Sequence, residues 1–194
     1  MKAVRVVSGP VAALDRAAVD TDQIIPKQFL KRIERTGFGE FLFYDWMKDA
    51  GFPLRRPEFA SAPILATGRN FGCGSSREHA AWALQEFGFQ AVVAESFGDI
   101  FRTNSSKIGL LTVALPEADM RELLDAAPAE ATIDLEAQTV ALASGRTVSF
   151  DIDPGVRERL LNGWDDIALT ERRAAEIDRY EAERERPGPN VLVL

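Results

Sequence analysis

The sequence predicts an α/β fold with a parallel βαβ core and additional antiparallel strands. Three observations carry this expectation. Short apolar runs, Pro63-Ile64-Leu65-Ala66-Thr67, Ala91-Val92-Val93-Ala94 and Leu110-Leu111-Thr112-Val113-Ala114, alternate with helix-forming stretches over short links, as buried parallel strands and their crossover helices do. Downstream, residues 132–135, 139–142 and 146–150 alternate apolar and polar side chains, the pattern of a half-buried antiparallel meander. The chain of 194 residues lies within the ~50–250 residues of one domain. Residues 1–194 therefore read as a single domain, with a helical extension over about 154–194.

In chain order, residues 3–7 read as the first strand and Ser8-Gly9-Pro10 as a turn leading toward Asp20-Thr21-Asp22. That triplet is rich in side-chain oxygens and suits either a helix cap or a hard cation. With no longer ligand pattern around its two carboxylates, a loop-structuring role is the reading adopted. Residues 30–35 read as a short helical turn and Gly37-Phe38-Gly39 as a mobile one, while Phe38, Phe41, Phe43, Tyr44 and Trp46 suggest a small satellite core. Residues 53–63 hold three prolines and read as a loop. Residues 80–87 are rich in helix formers and stop at Gly88. A second helix covers 99–107, and a third covers 117–127 with Met120, Leu123, Leu124 and Ala127 on one face. Asp153-Pro154 opens a short helix through Leu161. A final charged helix follows Thr170; its run over 181–186 reads as a solvated face, ended by Pro187-Gly188-Pro189 before an apolar tail at 190–194.

Composition narrows the function classes. No stretch approaches the ~18 apolar residues of a membrane span, and Met1 to Val7 alternates basic and apolar residues without the apolar core of a signal peptide. A cytoplasmic protein without membrane contact is expected. The net charge of −7 argues against a nucleic-acid partner, which calls for a basic face. It leaves room for an anionic substrate gripped by local arginines. One cysteine and one histidine supply neither the several thiolates of an iron–sulfur cluster nor a His/Cys-rich zinc site. No metal site is expected on this chain.

Gly68-Arg69-Asn70-Phe71-Gly72-Cys73-Gly74-Ser75-Ser76-Arg77-Glu78-His79 is the stretch on which chemistry centres. It forms a glycine-rich turn from a buried strand into a helix. Two readings stand side by side. Ser75-Ser76-Arg77-Glu78 fits the capping box S-x-x-E, with Ser75 as cap and Glu78 reaching back. Alternatively, free N–H groups at a helix start and the guanidinium of Arg77 make a carboxylate site. The stretch lacks the P-loop lysine, the spacing of a dinucleotide turn and the G-x-S-x-G nucleophile elbow. Its only histidine, His79, is one turn beyond Ser75, an unsuitable geometry for a Ser-His-Asp triad. Cys73 reads as a spacer or a redox thiol, beside a helix start and Arg77. His79 reads as a brace for the turn or a proton carrier.

The run Gly72-x-Gly74-Ser75-Ser76-Arg77-Glu78-His79 resembles the signature of the aconitase superfamily swivelling domain. Asp20-Thr21-Asp22-Gln23-Ile24-Ile25-Pro26-Lys27-Gln28-Phe29-Leu30, Thr36-Gly37-Phe38-Gly39, Phe43-Tyr44-Asp45-Trp46 and Ser96-Phe97-Gly98-Asp99-Ile100-Phe101 are similar to the 3-isopropylmalate dehydratase small-subunit family. Asn104, Gly109-Leu110-Leu111 and the run from Leu161 to Thr170 extend the match. These stretches lie in order between about residues 20 and 180. Cys73 stands where aconitases typically carry an acidic residue, which favours the isopropylmalate branch.

The resemblance implies a swivelling β/β/α domain. It implies isomerisation of 2-isopropylmalate to 3-isopropylmalate through 2-isopropylmaleate, a step of leucine biosynthesis. It implies a large-subunit partner carrying a [4Fe–4S] cluster, with this chain binding no cofactor. Carried onto this sequence, Ser75 is the base and Arg77 the clamp on a small dicarboxylate substrate. Ser76 and Gly74 contact substrate, and Lys27, Phe29 and Leu30 shape the pocket, where an isopropyl arm needs apolar surface. A homoaconitase or citraconate/dimethylmaleate hydratase small subunit is the nearest alternative. A non-catalytic anion-binding module is the alternative of a different class.

Overall fold

The structure, a computed structural model, describes residues 1–31 and 36–184. The strands are β1 (Val6–Leu14), β2 (Ile64–Thr67), β3 (Ala91–Ala94), β4 (Leu111–Ala114), β5 (Glu130–Asp134), β6 (Thr139–Ala141) and β7 (Thr147–Ser149). The helices are α1 (Thr21–Ile24), α2 (Glu78–Phe87), α3 (Asp99–Ile108), α4 (Glu117–Ala126), α5 (Pro154–Asn162), α6 (Asp166–Glu171) and α7 (Ala174–Glu183). All strands join one seven-stranded sheet in the order β4-β3-β2-β1-β5-β6-β7. From β4 to β1 the neighbours are parallel, and from β1 to β7 they are antiparallel. The expected βαβ core and the expected meander are thus two halves of one sheet.

β1 joins the halves, and here the sequence expectation is corrected. Ser8-Gly9-Pro10 does not turn the chain. Val6 to Pro10 pairs with β5, and Val11 to Leu14 pairs with β2. The usual turn residues serve a change of partner within a continuous strand. Gly9 has φ +150, and a Cβ there would lie 2.8 Å from Cγ of Pro63, so only glycine lets the chain before β2 approach this closely.

Side-chain alternation divides the core between the two faces of the sheet. Leu65, Val92 and Ala94 face one cluster with Ala80, Ala81 and Leu84 of α2 and Phe101 of α3. Ile64, Ala66, Ala91 and Val93 face the other with Met120, Leu123 and Leu124 of α4 and the meander residues Ile133, Val140 and Val148. Each fully buried Val, Leu, Ile, Phe or Met stabilises by ~1.5–3 kcal/mol, which is why the parallel strands read as unbroken apolar runs.

Two further expectations are revised. The aromatic stretch is no satellite: Phe38, Leu42 and Phe43 belong to the same cluster as Leu65 and Leu84. Nor is Phe38 loose. It is fully buried, and the Glu86 carboxylate accepts from its backbone N–H and, at 3.2 Å, from that of Gly39. The proline-rich stretch contains 3-10 turns at Pro53–Arg55 and Pro57–Phe59, with Leu54 and Phe59 buried. At the other end, α6 and α7 bury none of their residues. The expected helical turn at 30–35 lies beyond Lys31 outside the described residues, as do the end of the charge run, its proline stop and the tail at 190–194.

Candidate active site

The turn between β2 and α2 leaves the carboxyl end of a parallel strand, where open α/β sheets place their ligands. It is stitched into the ends of both neighbouring strands. Gly68 N–H donates to Arg16 O (3.1 Å), Gly72 N–H to Val19 O (2.8 Å) and Thr21 N–H to Cys73 O (2.9 Å) on the β1 side. Phe71 N–H donates to Ser96 O (3.0 Å) and Gly98 N–H to Phe71 O (2.9 Å) on the β3 side, while Asn70 N–H donates to Ser96 Oγ (2.9 Å). Phe71 is buried and meets Phe101 edge to face at 5.4 Å, worth ~0.5–1.5 kcal/mol beyond its area. Gly72 has φ +71 and passes so near Phe101 that a Cβ would lie 2.2 Å from its ring.

Beyond Cys73 the stitching stops. Among the described residues, the N–H groups of Gly74, Ser75, Ser76 and Arg77 donate no hydrogen bond to protein, and Gly74, Ser75 and Ser76 are exposed. The capping-box reading is corrected here. α2 begins at Glu78, and its cap is Arg77, in extended conformation and without a side-chain capping bond. Ser75 lies upstream, in a turn where Gly72 (φ +71) and Gly74 (φ +94) keep the chain out of helical conformation. Four unpaired N–H groups beside a helix start suit an anion.

α1 supplies what the sequence alone does not pair with this turn. Asp20 caps α1, accepting from Gln23 N–H at 2.8 Å, while Gln23 Oε1 accepts from Asp20 N–H at 2.9 Å. Thr21 Oγ1 lies 3.2 Å from Ser75 Oγ and 3.2 Å from Ser75 O. Asp22 forms an ion pair with Arg77, whose side chain is 15% exposed. The contact is one of charge, since Arg77 Nη1 makes no hydrogen bond among the described residues. Such a pair contributes ~0–1 kcal/mol, far less than buried Phe71, so it aims Arg77 without holding the turn together. The Asp-Thr-Asp triplet thus structures the loop as expected.

The remaining predicted residues separate into groups. Ser75, Ser76, Arg77 and Gly74 are together on the turn. Lys27 and Phe29 lie in the 3-10 helix Lys27–Lys31 that follows α1, with Leu30 beside them. Lys27 is exposed, and Phe29 and Leu30 are half-buried. Phe29 stacks on Phe41 at 4.0 Å and meets Tyr44 edge-on at 4.8 Å, so its ring is engaged with aromatic neighbours. Cys73 is half-buried, and its backbone bridges to Asp20, which favours a spacer role. The His79 ring packs on Phe38 at 5.0 Å and Trp82 at 4.6 Å. Burial lowers its pKa, Glu78 opposes the shift and Arg77 adds to it, so a neutral brace fits better than a charged group. Thr21, Asp22 and Glu86 gained their roles only from the fold, because their partners lie 47 to 55 residues away.

No group of three or more His, Cys, Asp or Glu residues capable of holding a metal exists among the described residues, and no described helix is long and apolar enough to cross a membrane. With one cysteine and one histidine in the whole sequence, the donor set does not fit an iron–sulfur cluster.

The sheet and its exposed Gly-Ser-Ser-Arg turn define a domain of the aconitase class: the family described as the Aconitase C-terminal domain matches residues 1–118, and LeuD_N matches residues 120–154. The second match takes up the meander, within the same sheet. The 3-isopropylmalate dehydratase small subunit of Rubrobacter xylanophilus is 52% identical over 196 residues, covering 99% of this chain and 100% of that protein. The small subunit of Anoxybacillus flavithermus is 55% identical over 185 residues, covering 91% and 95%. A crystal structure of 3-isopropylmalate dehydratase (leuD) from Methanocaldococcus jannaschii matches with a TM-score of 0.69 and 25% identity, over 90% of this chain and 99% of that one. The chain belongs to the family of 3-isopropylmalate dehydratase small subunits.

Proposed function

We propose that this chain is the small subunit of a two-subunit hydro-lyase that isomerises 2-isopropylmalate to 3-isopropylmalate through 2-isopropylmaleate in leucine biosynthesis. The family membership supports the reaction, and the name small subunit supports a large-subunit partner. One observation carries the site assignment. Ser75 and Ser76 stand exposed among unpaired backbone N–H groups, next to the Arg77 guanidinium that Asp22 holds in place. The assembly belongs in the cytoplasm, and residues 1–194 act as one domain.

The reaction removes a proton from a carbon next to a carboxylate while hydroxide departs. A [4Fe–4S] cluster on the large subunit supplies the Lewis acid for that hydroxide. This chain supplies the base and the grip. A serine serves as base only when its alkoxide is stabilised. The free N–H groups of the turn, the start of α2 and the positive charge of Arg77 provide such a field with no reorganisation during reaction. Arg77 offers a planar fork to one substrate carboxylate, which lysine does not reproduce. Ser76 and the backbone at Gly74 orient the same substrate. Lys27, Phe29 and Leu30 border the site, with Phe29 and Leu30 supplying apolar surface for the isopropyl arm.

The test is turnover of 2-isopropylmalate by complexes containing Ser75→Ala or Arg77→Lys. Both variants fold and pair with the large subunit, and both lose turnover by ~10²-fold or more, the scale of a lost oxyanion contact. Near-normal turnover by Ser75→Ala removes Ser75 from the base role. Preference for homoaconitate or citraconate over 2-isopropylmalate moves the assignment to a sister hydro-lyase.

A further inference from the structure

Thr21 is 2% exposed, yet it carries a hydroxyl where valine would fill the same volume. Both oxygens within its reach belong to Ser75: the backbone carbonyl and Oγ, each 3.2 Å from Thr21 Oγ1. A hydroxyl has one proton to donate and lone pairs to accept. Thr21 therefore donates to only one Ser75 oxygen at a time. Its backbone is fixed by the bond from its N–H to Cys73 O and by the Asp20 cap, so only the O–H rotor is free.

We infer that Thr21 is a positioning residue for the serine base, its hydroxyl donating to Ser75 Oγ while that oxygen is an alkoxide. When the alkoxide takes the substrate proton, the C–H electron pair becomes part of the new double bond and hydroxide leaves. Ser75 O–H then donates to Thr21 Oγ1, and the Thr21 proton turns to the Ser75 carbonyl. No proton leaves Thr21, and the two rotor positions match the two protonation states of Ser75. A donor to an anion forms roughly twice as strong a bond as one to a neutral oxygen, so the contact favours the alkoxide. The inference rests on the serine-base reading above.

The experiment compares Thr21→Val, Thr21→Ser and Ser75→Ala in complex with the large subunit, by initial rates against 2-isopropylmalate concentration. Thr21→Val lowers kcat by ~10²-fold with KM within about twofold, and Thr21→Ser recovers to within about fivefold of wild type. If valine unsettles α1, seen as a lowered melting temperature, Thr21→Ala carries the same comparison against Thr21→Ser. Wild-type kcat in Thr21→Val, or an equal loss in Thr21→Ser, overturns the positioning role while leaving Ser75 as base. Full activity in Ser75→Ala overturns the serine-base reading itself, and the Thr21 role with it.

Discussion

His79 shows how one side chain on α2 acquires a pH response from its surroundings. Its ring is half-buried against Phe38 and Trp82, and burial pulls its pKa below the ordinary value of 6.5, with Glu78 partly opposing and Arg77 reinforcing. The folded chain therefore prefers neutral His79. As pH falls through about 6.5 toward the lower native value, the unfolded state takes up the proton first, and stability declines with pH in that window. Carboxylates held low by hydrogen bonds, such as Glu122 beside Ser144 and Arg146 and Asp165 at its cap, act below about pH 4.5 and do not confuse the reading. Between pH 8 and 5.5 the melting temperature of wild type falls further than that of His79→Gln. An equal or smaller fall in wild type contradicts a buried neutral ring.

At the scale of elements, α1 is short enough that its cap decides whether it forms. Asp20→Ala removes an N-cap worth ~0.5–2 kcal/mol, and a loss of about 1 kcal/mol lowers the melting temperature by ~2–4 °C in a chain of this size. Asp20→Asn, which can cap equally well, stays near wild type. A thermal melt separates the two, and an unchanged melting temperature in Asp20→Ala contradicts the cap. The elements also show what a sequence can and cannot disclose. β2, β3 and β4 were legible because strands buried on both faces leave unbroken apolar runs, and α2 because helix formers run up to Gly88. β1 was misread at Ser8-Gly9-Pro10 because turn residues there serve a change of sheet partner, a tertiary fact. Ser75 matched a capping pattern but is not a cap, because Gly72 and Gly74, at positive φ, keep the turn out of the helix and α2 starts only after Arg77. The residues of the turn were legible from their resemblance to a family signature. Their supports, Thr21 and Asp22, lie in the Asp-Thr-Asp triplet, but nothing local in the sequence joins the two stretches.

At the scale of the whole molecule, the end of the sheet's parallel half brings the turn and α1 together. The arrangement provides serine hydroxyls, a guanidinium and unpaired N–H groups. The electrophilic half of the chemistry requires ligands that the sequence's single cysteine and single histidine do not furnish. The proposed reaction therefore makes the two chains interdependent. The most direct test is anaerobic turnover of 2-isopropylmalate, followed by ultraviolet absorbance of the unsaturated intermediate, with this chain alone, a cluster-loaded large subunit alone, and both together. The account predicts turnover only in the mixture. Turnover by either chain alone, or none in a mixture with an intact cluster and demonstrated pairing, would contradict it.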